Sequence, residues 1–282
     1  MPELPEVETM RRGVLSVVGS VVRDVARPPC AKRPIEVRPR IDLFRRRATG
    51  AQITGVGRIG KRVILELSTD DRIILEPRMT GLVLLADPPT AEHLRLRIEL
   101  SGGPDPELLF WDRRGLGSVR LLSPDEMASE LGPEKIGVDA LSIGWQGLRT
   151  ALAQSRRAIK VALLDQKAVA GVGNLYASEL LHMAQVHPER ACHTLKPAEW
   201  QAIHDAMVMI LEEAIRYEGS TLSDGTYRNA QNKDGSYQNQ HRVYDKAGNA
   251  CPRCVKELVV RIVQAQRSTF FCPACQRKSK RR

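Results

Sequence analysis

The apolar positions change their period twice along this chain. Val7, Met10, Val14, Val17 and Val18 recur at helical spacing and predict an amphipathic first helix. Pro5 suits its first turn, where a missing N–H costs nothing, and Glu3, Glu6 and Glu8 fall near the positive end of the helix dipole. Between residues 53 and 122 the period shortens. Leu94, Leu96, Ile98 and Leu100 alternate with Arg95, Arg97 and Glu99, the pattern of a half-buried strand. Residues 63–67, 73–75, 82–86, 108–111 and 119–122 read as further strands, separated by Gly, Pro and Asp. Short strands in succession predict a β-sandwich or a barrel-like sheet. The strand signal stops around 132–144. Beyond it, Trp200, Ile203, Met207, Ile210, Leu211 and Ala214 form one stripe on a long helix opened by Pro197, and shorter helices are expected over 158–164 and 174–184. Residues 220–250, rich in Asn, Gln, Asp, Gly and Ser, read as a long mobile loop.

Composition narrows the class. A chain of 282 residues holds one large domain or two modest ones. It has no run of 18 apolar residues and no secretory signal at its acid- and proline-rich start, so a soluble cytoplasmic protein without a membrane partner is expected. Nothing in the pattern demands an oligomer, and a monomer is expected. The net charge is +10, and from Cys251 onward nine Lys/Arg face a single acid, Glu257. Such a segment is either a solubilising tail or a module for binding a polyanion.

The cysteines sharpen that choice. Cys251-x2-Cys254 and Cys272-x2-Cys275, 17 residues apart, have the spacing of a zinc site. Four thiolates close a tetrahedron with no open position, so one structural zinc ion is expected and no redox or nucleotide cofactor. Residues 258–263 and 268–271 read as a hairpin with 264–267 at its tip, which presents Arg267 either to a phosphate or to solvent. Cys30 and Cys192 stand alone as plain thiols.

Two further motifs carry chemistry. Gly171-Val172-Gly173-Asn174 precedes an apolar helix, where backbone N–H groups can meet an anion, although an ordinary tight turn has the same appearance. Arg156, Arg157 and Lys160 add positive charge just upstream. At the start of the chain, removal of Met1 exposes a secondary amine on Pro2. An α-amino group titrates near about 7.7–8.0, and a helix start lowers this further, leaving a nucleophilic fraction. Such an amine forms an iminium with a sugar carbon, with Glu3 as proton carrier. The alternative is a helix start whose acids simply favour the dipole.

Taken in order, Pro2-Glu3-Leu4-Pro5-Glu6-Val7-Glu8-Thr9, Lys61, Arg78-Met79-Thr80-Gly81, Gly171-Val172-Gly173-Asn174-Leu175-Tyr176-Ala177 and Gln266-Arg267-Ser268-Thr269-Phe270-Phe271-Cys272 resemble the bacterial formamidopyrimidine-DNA glycosylases over essentially the whole chain. The resemblance implies an α+β fold. An N-terminal β-sandwich with flanking helices spans 1–135, a helical helix-two-turn-helix domain with a lesion-capping loop spans 136–244, and a zinc-finger hairpin spans 245–282, with damaged double-stranded DNA held between the domains. It implies base-excision repair: removal of oxidised purines, then strand cleavage by β,δ-elimination. Pro2 would be the Schiff-base nucleophile, Glu3 the proton donor, Glu6 its support, and Lys61 a phosphate contact that assists elimination. Asn174 and Arg267 would pin the same backbone, with Arg267 also the acid for δ-elimination, and Arg156, Lys160 and His93 would lie near the DNA. Met79, Arg114 and Leu116 would fill the gap left by a flipped nucleotide.

Two positions depart from the family pattern. Leu116 replaces the usual phenylalanine after Trp111-Asp112-Arg113-Arg114-Gly115, and Ser223 stands where relatives often carry Lys or Arg in the capping loop. The nearest alternative is an endonuclease VIII-like glycosylase for oxidised pyrimidines, whose relatives usually begin Pro-Glu-Gly-Pro-Glu where this chain has Leu4. The other is a zinc-finger DNA-binding protein without catalysis.

Overall fold

The computed structural model describes residues 2–222, 225 and 227–278. By internal packing they fall into two compact units, Met1–Gly132 with Ile215–Gln238, and Pro133–Ala214 with Asn239–Arg282.

The first unit opens with α1 (Leu4–Gly13). Glu3 and Glu6 form a reciprocal capping box and Pro5 lies in the first turn, so the orphan N–H groups of the helix start are met within the segment itself. The helix ends earlier than the valine periodicity predicts. Residues Leu15–Val17 form a 3-10 turn, and Val18 is exposed. A Cβ on Gly13 would come within 2.5 Å of the Ala230 Cβ, so the chain passes this point only as glycine. The run of β-branched residues that follows favours extension over helix.

The strands of this unit are β1 (Val21–Ala26), β2 (Glu36–Arg38), β3 (Ile53–Ile59), β4 (Arg62–Leu67), β5 (Arg72–Glu76), β6 (Gly81–Leu84), β7 (Leu94–Ser101), β8 (Glu107–Asp112) and β9 (Ser118–Leu122). They build a four-stranded sheet in the order β1-β7-β8-β6 and a five-stranded sheet in the order β2-β9-β5-β4-β3. One continuous core joins the inner faces: Val25, Leu82, Leu96, Ile98 and Phe110 from the first sheet meet Ile53, Val63, Leu65, Ile73, Leu75 and Leu121 from the second. The unit is therefore a sandwich. Alternation explains the outer face too, because Ile64, Ile74 and Leu122 point away and are covered by Met127 and Leu131 of α3 (Pro124–Leu131). The other helix of the sandwich, α2 (Ile41–Ala48), was hidden in the sequence by three consecutive arginines, and only Phe44 and Ala48 are buried from it.

Residues 215–238 pack with the sandwich, whereas the sequence grouped them with the helices. Tyr227 and Ala230 belong to its core. It overlaps residues 220–250, which the sequence reads as a loop. Its polar residues bond one another: the Asn229 side chain accepts from the N–H groups of Gln231 and Lys233, and Thr221 donates its hydroxyl to Tyr227 O and accepts from Gly235 N. Ser223 lies outside the described residues.

The second unit holds α4 (Trp145–Leu152), α5 (Ile159–Leu163), α6 (Asn174–Met183) and α7 (Pro197–Arg216), which runs into the first unit at its last residues, together with a short parallel pair, β10 (Val138–Asp139) and β11 (Val169–Ala170). Trp200, Ile203, Met207, Ile210, Leu211 and Ala214, the stripe read from the sequence, are all buried. The chain then forms a hairpin of β12 (Val260–Gln264) and β13 (Arg267–Phe271). The tip is tighter than expected. Ala265 and Gln266, both at positive φ, make the turn, while Gln264 and Arg267 are already a strand pair. Among the described residues, no helix is long and apolar enough to cross a membrane.

Candidate functional site

The start of α1 is a buried polar constellation. Pro2, Glu3 and Glu6 are all buried. Glu3 donates its backbone N–H to Glu6 Oε2 at 2.8 Å, and the other Glu6 oxygen accepts from Ser220 N at 2.8 Å. Glu6 thus ties the N-terminal segment to the 215–238 segment. Gly219, at φ +78°, makes this approach possible, since a Cβ there would lie 2.8 Å from Glu6 Cγ and Oε1. Tyr227 lies beside them. Its hydroxyl donates to Glu218 O at 2.9 Å, and burial together with the Glu6 carboxylate holds the phenol well above its usual pKa. Lys61 is half-buried in the two-residue turn between β3 and β4.

The expected wedge residues come from two loops of the same unit. Met79 is half-buried in the turn between β5 and β6, Arg114 is exposed and Leu116 half-buried in the turn between β8 and β9. One residue that the sequence did not flag joins the loops. Asp112 has no exposed surface, and its carboxylate accepts from Thr80 Oγ1 and from the N–H groups of Arg114, Leu116 and Gly117 at 2.5–3.1 Å. Its carbonyl accepts from Arg95 Nε at 2.8 Å. Arg95, expected on the solvent face of its strand, is consequently buried and also donates to the Cys30 thiol. An acid before a Gly-containing turn is the signal that could have revealed Asp112, because such a side chain caps backbone N–H groups just after itself. His93 is mostly covered, edge-on to Trp111 with ring centroids 5.5 Å apart.

In the second unit, Asn174 is the first residue of α6. Its amide donates to Ser268 O at 3.0 Å. Lys160, expected near DNA, has a fully buried side chain, and its ammonium donates to Asn174 Oδ1 and to Ser268 O. It therefore braces Asn174 against β13. Arg156 is exposed in the segment before α5, and Arg267 is exposed at the start of β13.

Cys251, Cys254, Cys272 and Cys275 bring their sulfurs within 4.8 Å of one another, a donor set able to hold one metal ion. Four adjacent thiols cannot all ionise without a cation. Backbone N–H groups of Lys256 and Glu257 draw Cys254 down to about 6, while burial and its neighbouring sulfurs push Cys275 up to about 12. His182 Nε2 lies 3.3 Å from Cys251 Sγ, and burial lowers this imidazole to about 4, keeping it neutral. A neutral ring can donate to a ligating thiolate, the usual outer support of a metal site. Cys192 is buried and pushed up to about 11, as befits an inert thiol.

Comparison with known proteins agrees with these two halves. Residues 1–119 match the family model of the formamidopyrimidine-DNA glycosylase N-terminal domain, and residues 123–226 match that of the formamidopyrimidine-DNA glycosylase H2TH domain. The chain is 37% identical to the formamidopyrimidine-DNA glycosylase of Chloroflexus aurantiacus, covering 98% of both, and 37% identical to that of Streptococcus pneumoniae, covering 99% of this chain and all of the relative. Among solved structures, Lactococcus lactis Fpg in complex with DNA containing an abasic site superposes with a TM-score of 0.85 at 33% identity, over 98% of this chain and 100% of that one. The Fpg protein of Thermus thermophilus superposes with a TM-score of 0.84 at 35% identity, over 99% and 100%. On its fold, its cysteine cluster and this full-length similarity, the chain belongs to the formamidopyrimidine-DNA glycosylase family of DNA-repair enzymes.

Proposed function

We propose that the protein is a bifunctional glycosylase and abasic-site lyase acting on oxidised purines in double-stranded DNA, with the Pro2 amine as nucleophile. The observation that carries this reading is the buried, mutually bonded start of α1, where Glu3 and Glu6 are fixed beside Pro2 and clamped by Ser220. Once Met1 is removed, the nitrogen lone pair of Pro2 attacks the sugar C1′ and the amine gives up its proton, while the N-glycosidic bond breaks and the base leaves with a proton; the C1′–O4′ bond then breaks, O4′ takes a proton delivered through Glu3, and the nitrogen lone pair closes the C1′=N iminium. The resulting iminium acidifies the C2′ hydrogen. Loss of that proton forms the C2′=C3′ bond as the 3′ phosphate leaves, and a second elimination releases the 5′ phosphate, with Arg267 as its acid. Lys61, Asn174 and Arg267 hold phosphates, and Met79, Arg114 and Leu116 occupy the space of the flipped nucleotide. Arg156 and His93 contribute to the surface along the DNA backbone, and Lys160 acts through Asn174.

The four cysteines fit zinc, whose borderline softness and indifference to geometry suit a closed tetrahedral thiolate site. Its role would be to fold the hairpin that carries Arg267.

Borohydride trapping tests the nucleophile. The wild type is expected to form a covalent adduct with an abasic-site duplex, and Pro2→Gly or a chain retaining Met1 is expected to lose most of it. Absence of an adduct from the processed wild type refutes the reading. Faster excision of thymine glycol than of 8-oxoguanine opposite cytosine would move the protein to the oxidised-pyrimidine class.

A further inference from the structure

Glu8 lies on α1, one turn and a half beyond Glu3, and is almost fully buried. Its carboxylate accepts from three guanidinium groups: Arg11 Nη2 at 2.8 Å and Nε at 3.0 Å, Arg12 Nε at 2.8 Å, and Arg58 Nε at 3.1 Å. Of these, Arg58 continues to the β3–β4 turn. Arg58 Nη1 donates to the Gly60 carbonyl at 2.9 Å, and that carbonyl belongs to the peptide bond leading into Lys61. Gly60 and Lys61 are the turn itself, between the paired residues Ile59 and Arg62. A two-bond path therefore connects α1, the helix that follows Pro2, with the turn that carries Lys61.

The path is short and shielded. The Glu8 and Arg58 side chains are each only 10% exposed, so water competes poorly for either bond. The guanidinium fork is suited to this task, since it holds two acceptors in fixed directions at once. Attachment of α1 to the sheet does not need it, because Arg11 already donates to Val56 O at 3.3 Å. What Arg58 adds is the link to the turn.

We propose that Glu8 and Arg58 form a positioning pair that fixes Lys61 relative to the Pro2 helix, and so holds the lesion's phosphate in register with the attacking amine. This rests on the roles given above to Pro2 and Lys61. Iminium formation needs Pro2 and Glu3. Elimination additionally needs the phosphate held while C2′ gives up its proton and the C3′–O bond breaks. Loosening Lys61 therefore slows cleavage more than it slows imine formation.

The experiment uses the full-length, Met1-processed, metal-loaded protein and a duplex with a preformed abasic site. Rates of borohydride-trapped adduct and of strand cleavage are measured for wild type, Arg58→Met, Arg58→Lys, Glu8→Gln and Arg12→Met, each with its thermal midpoint. Arg58→Met and Glu8→Gln are expected to lower cleavage by about tenfold and trapping by less than about threefold, on the scale of a sub-ångström misplacement. Arg58→Lys keeps the charge opposite Glu8 but offers one nitrogen in place of the fixed fork, and recovers only part of the cleavage rate. Arg12→Met loses a bond to the same carboxylate without touching the turn, and keeps the wild-type ratio. A wild-type ratio in both Arg58→Met and Arg58→Lys overturns the positioning role, as does an equal fall in both rates that tracks the thermal midpoint. A wild type that forms no adduct overturns the Pro2 reading instead, and is evident before any variant is compared.

Discussion

Replacing Asp112 tests how the two wedge loops are held. Its carboxylate serves four donors, of which the Gly117 N–H and the Thr80 hydroxyl are buried and the Arg114 and Leu116 N–H groups are only partly so. Asp112→Ala leaves two buried donors without an acceptor, at about 1–3 kcal/mol each, while the partly exposed pair turns to water and loses about 0.5 kcal/mol each. The sum is about 5 kcal/mol, a large share of a typical domain's stability. Asp112→Asn behaves differently. Its carbonyl oxygen can keep Leu116 and Gly117, and its amide can donate to Thr80 Oγ1, so the loss is about 1 kcal/mol. Thermal unfolding of the full chain followed by circular dichroism should show a fall of roughly 10–20 °C for Ala and roughly 2–4 °C for Asn. A fall below about 3 °C for Ala, or equal falls for the two variants, refutes the bonding argument.

The metal site predicts one zinc per chain by elemental analysis, with Cys275→Ser losing the metal and weakening binding to an abasic-site duplex. Glu8 predicts a pH effect on stability. Burial opposes its charge, yet the guanidinium groups of Arg11, Arg12 and Arg58 lower the carboxyl from 4.5 to about 2. Because the folded value lies below the unfolded one, the contribution is complete above about pH 4.5 and fades as pH falls toward 2. Acid unfolding of Glu8→Gln should therefore lack that part of the slope between those limits, and a slope identical to wild type would contradict the assignment. Leu116→Phe, which supplies a flat ring for stacking on bases, is expected to change the rate of 8-oxoguanine excision by about threefold or more, read in single-turnover assays. Unchanged excision would make Leu116 an equivalent wedge.

Local pattern and folded structure agree where the period of the sequence is set by burial. The α7 stripe and the alternation in β7 are of this kind, since each side chain's environment follows from its own spacing. The cysteine cluster was legible because a metal site imposes a local spacing. Long-range polar contacts were not legible. Asp112 meets Thr80 from 32 positions away, and Glu6 meets Ser220 across 214, and no periodicity encodes either. The burial of Arg95 and Lys160 was not legible for one reason: charge reads as exposure in a sequence, while in the fold a carbonyl or an amide is waiting for each. The helix after residue 40 was missed because its exposed positions carry Arg45 and Arg46 and its apolar face is only two side chains wide.

The sandwich unit is not continuous in the chain, and this dictates an order of assembly. Its core includes Tyr227 and Ala230, and its buried Glu6 oxygen is met by Ser220. During synthesis, everything from residue 133 to 214 leaves the ribosome before those three residues arrive. The nascent sandwich therefore waits, without the Ser220 N–H that meets one Glu6 oxygen and with part of its core open, until the helices of the second unit have been made. A chain stopped at residue 132 lacks pieces of its own interior, so the residues around Pro2 reach their final arrangement only after most of the protein exists.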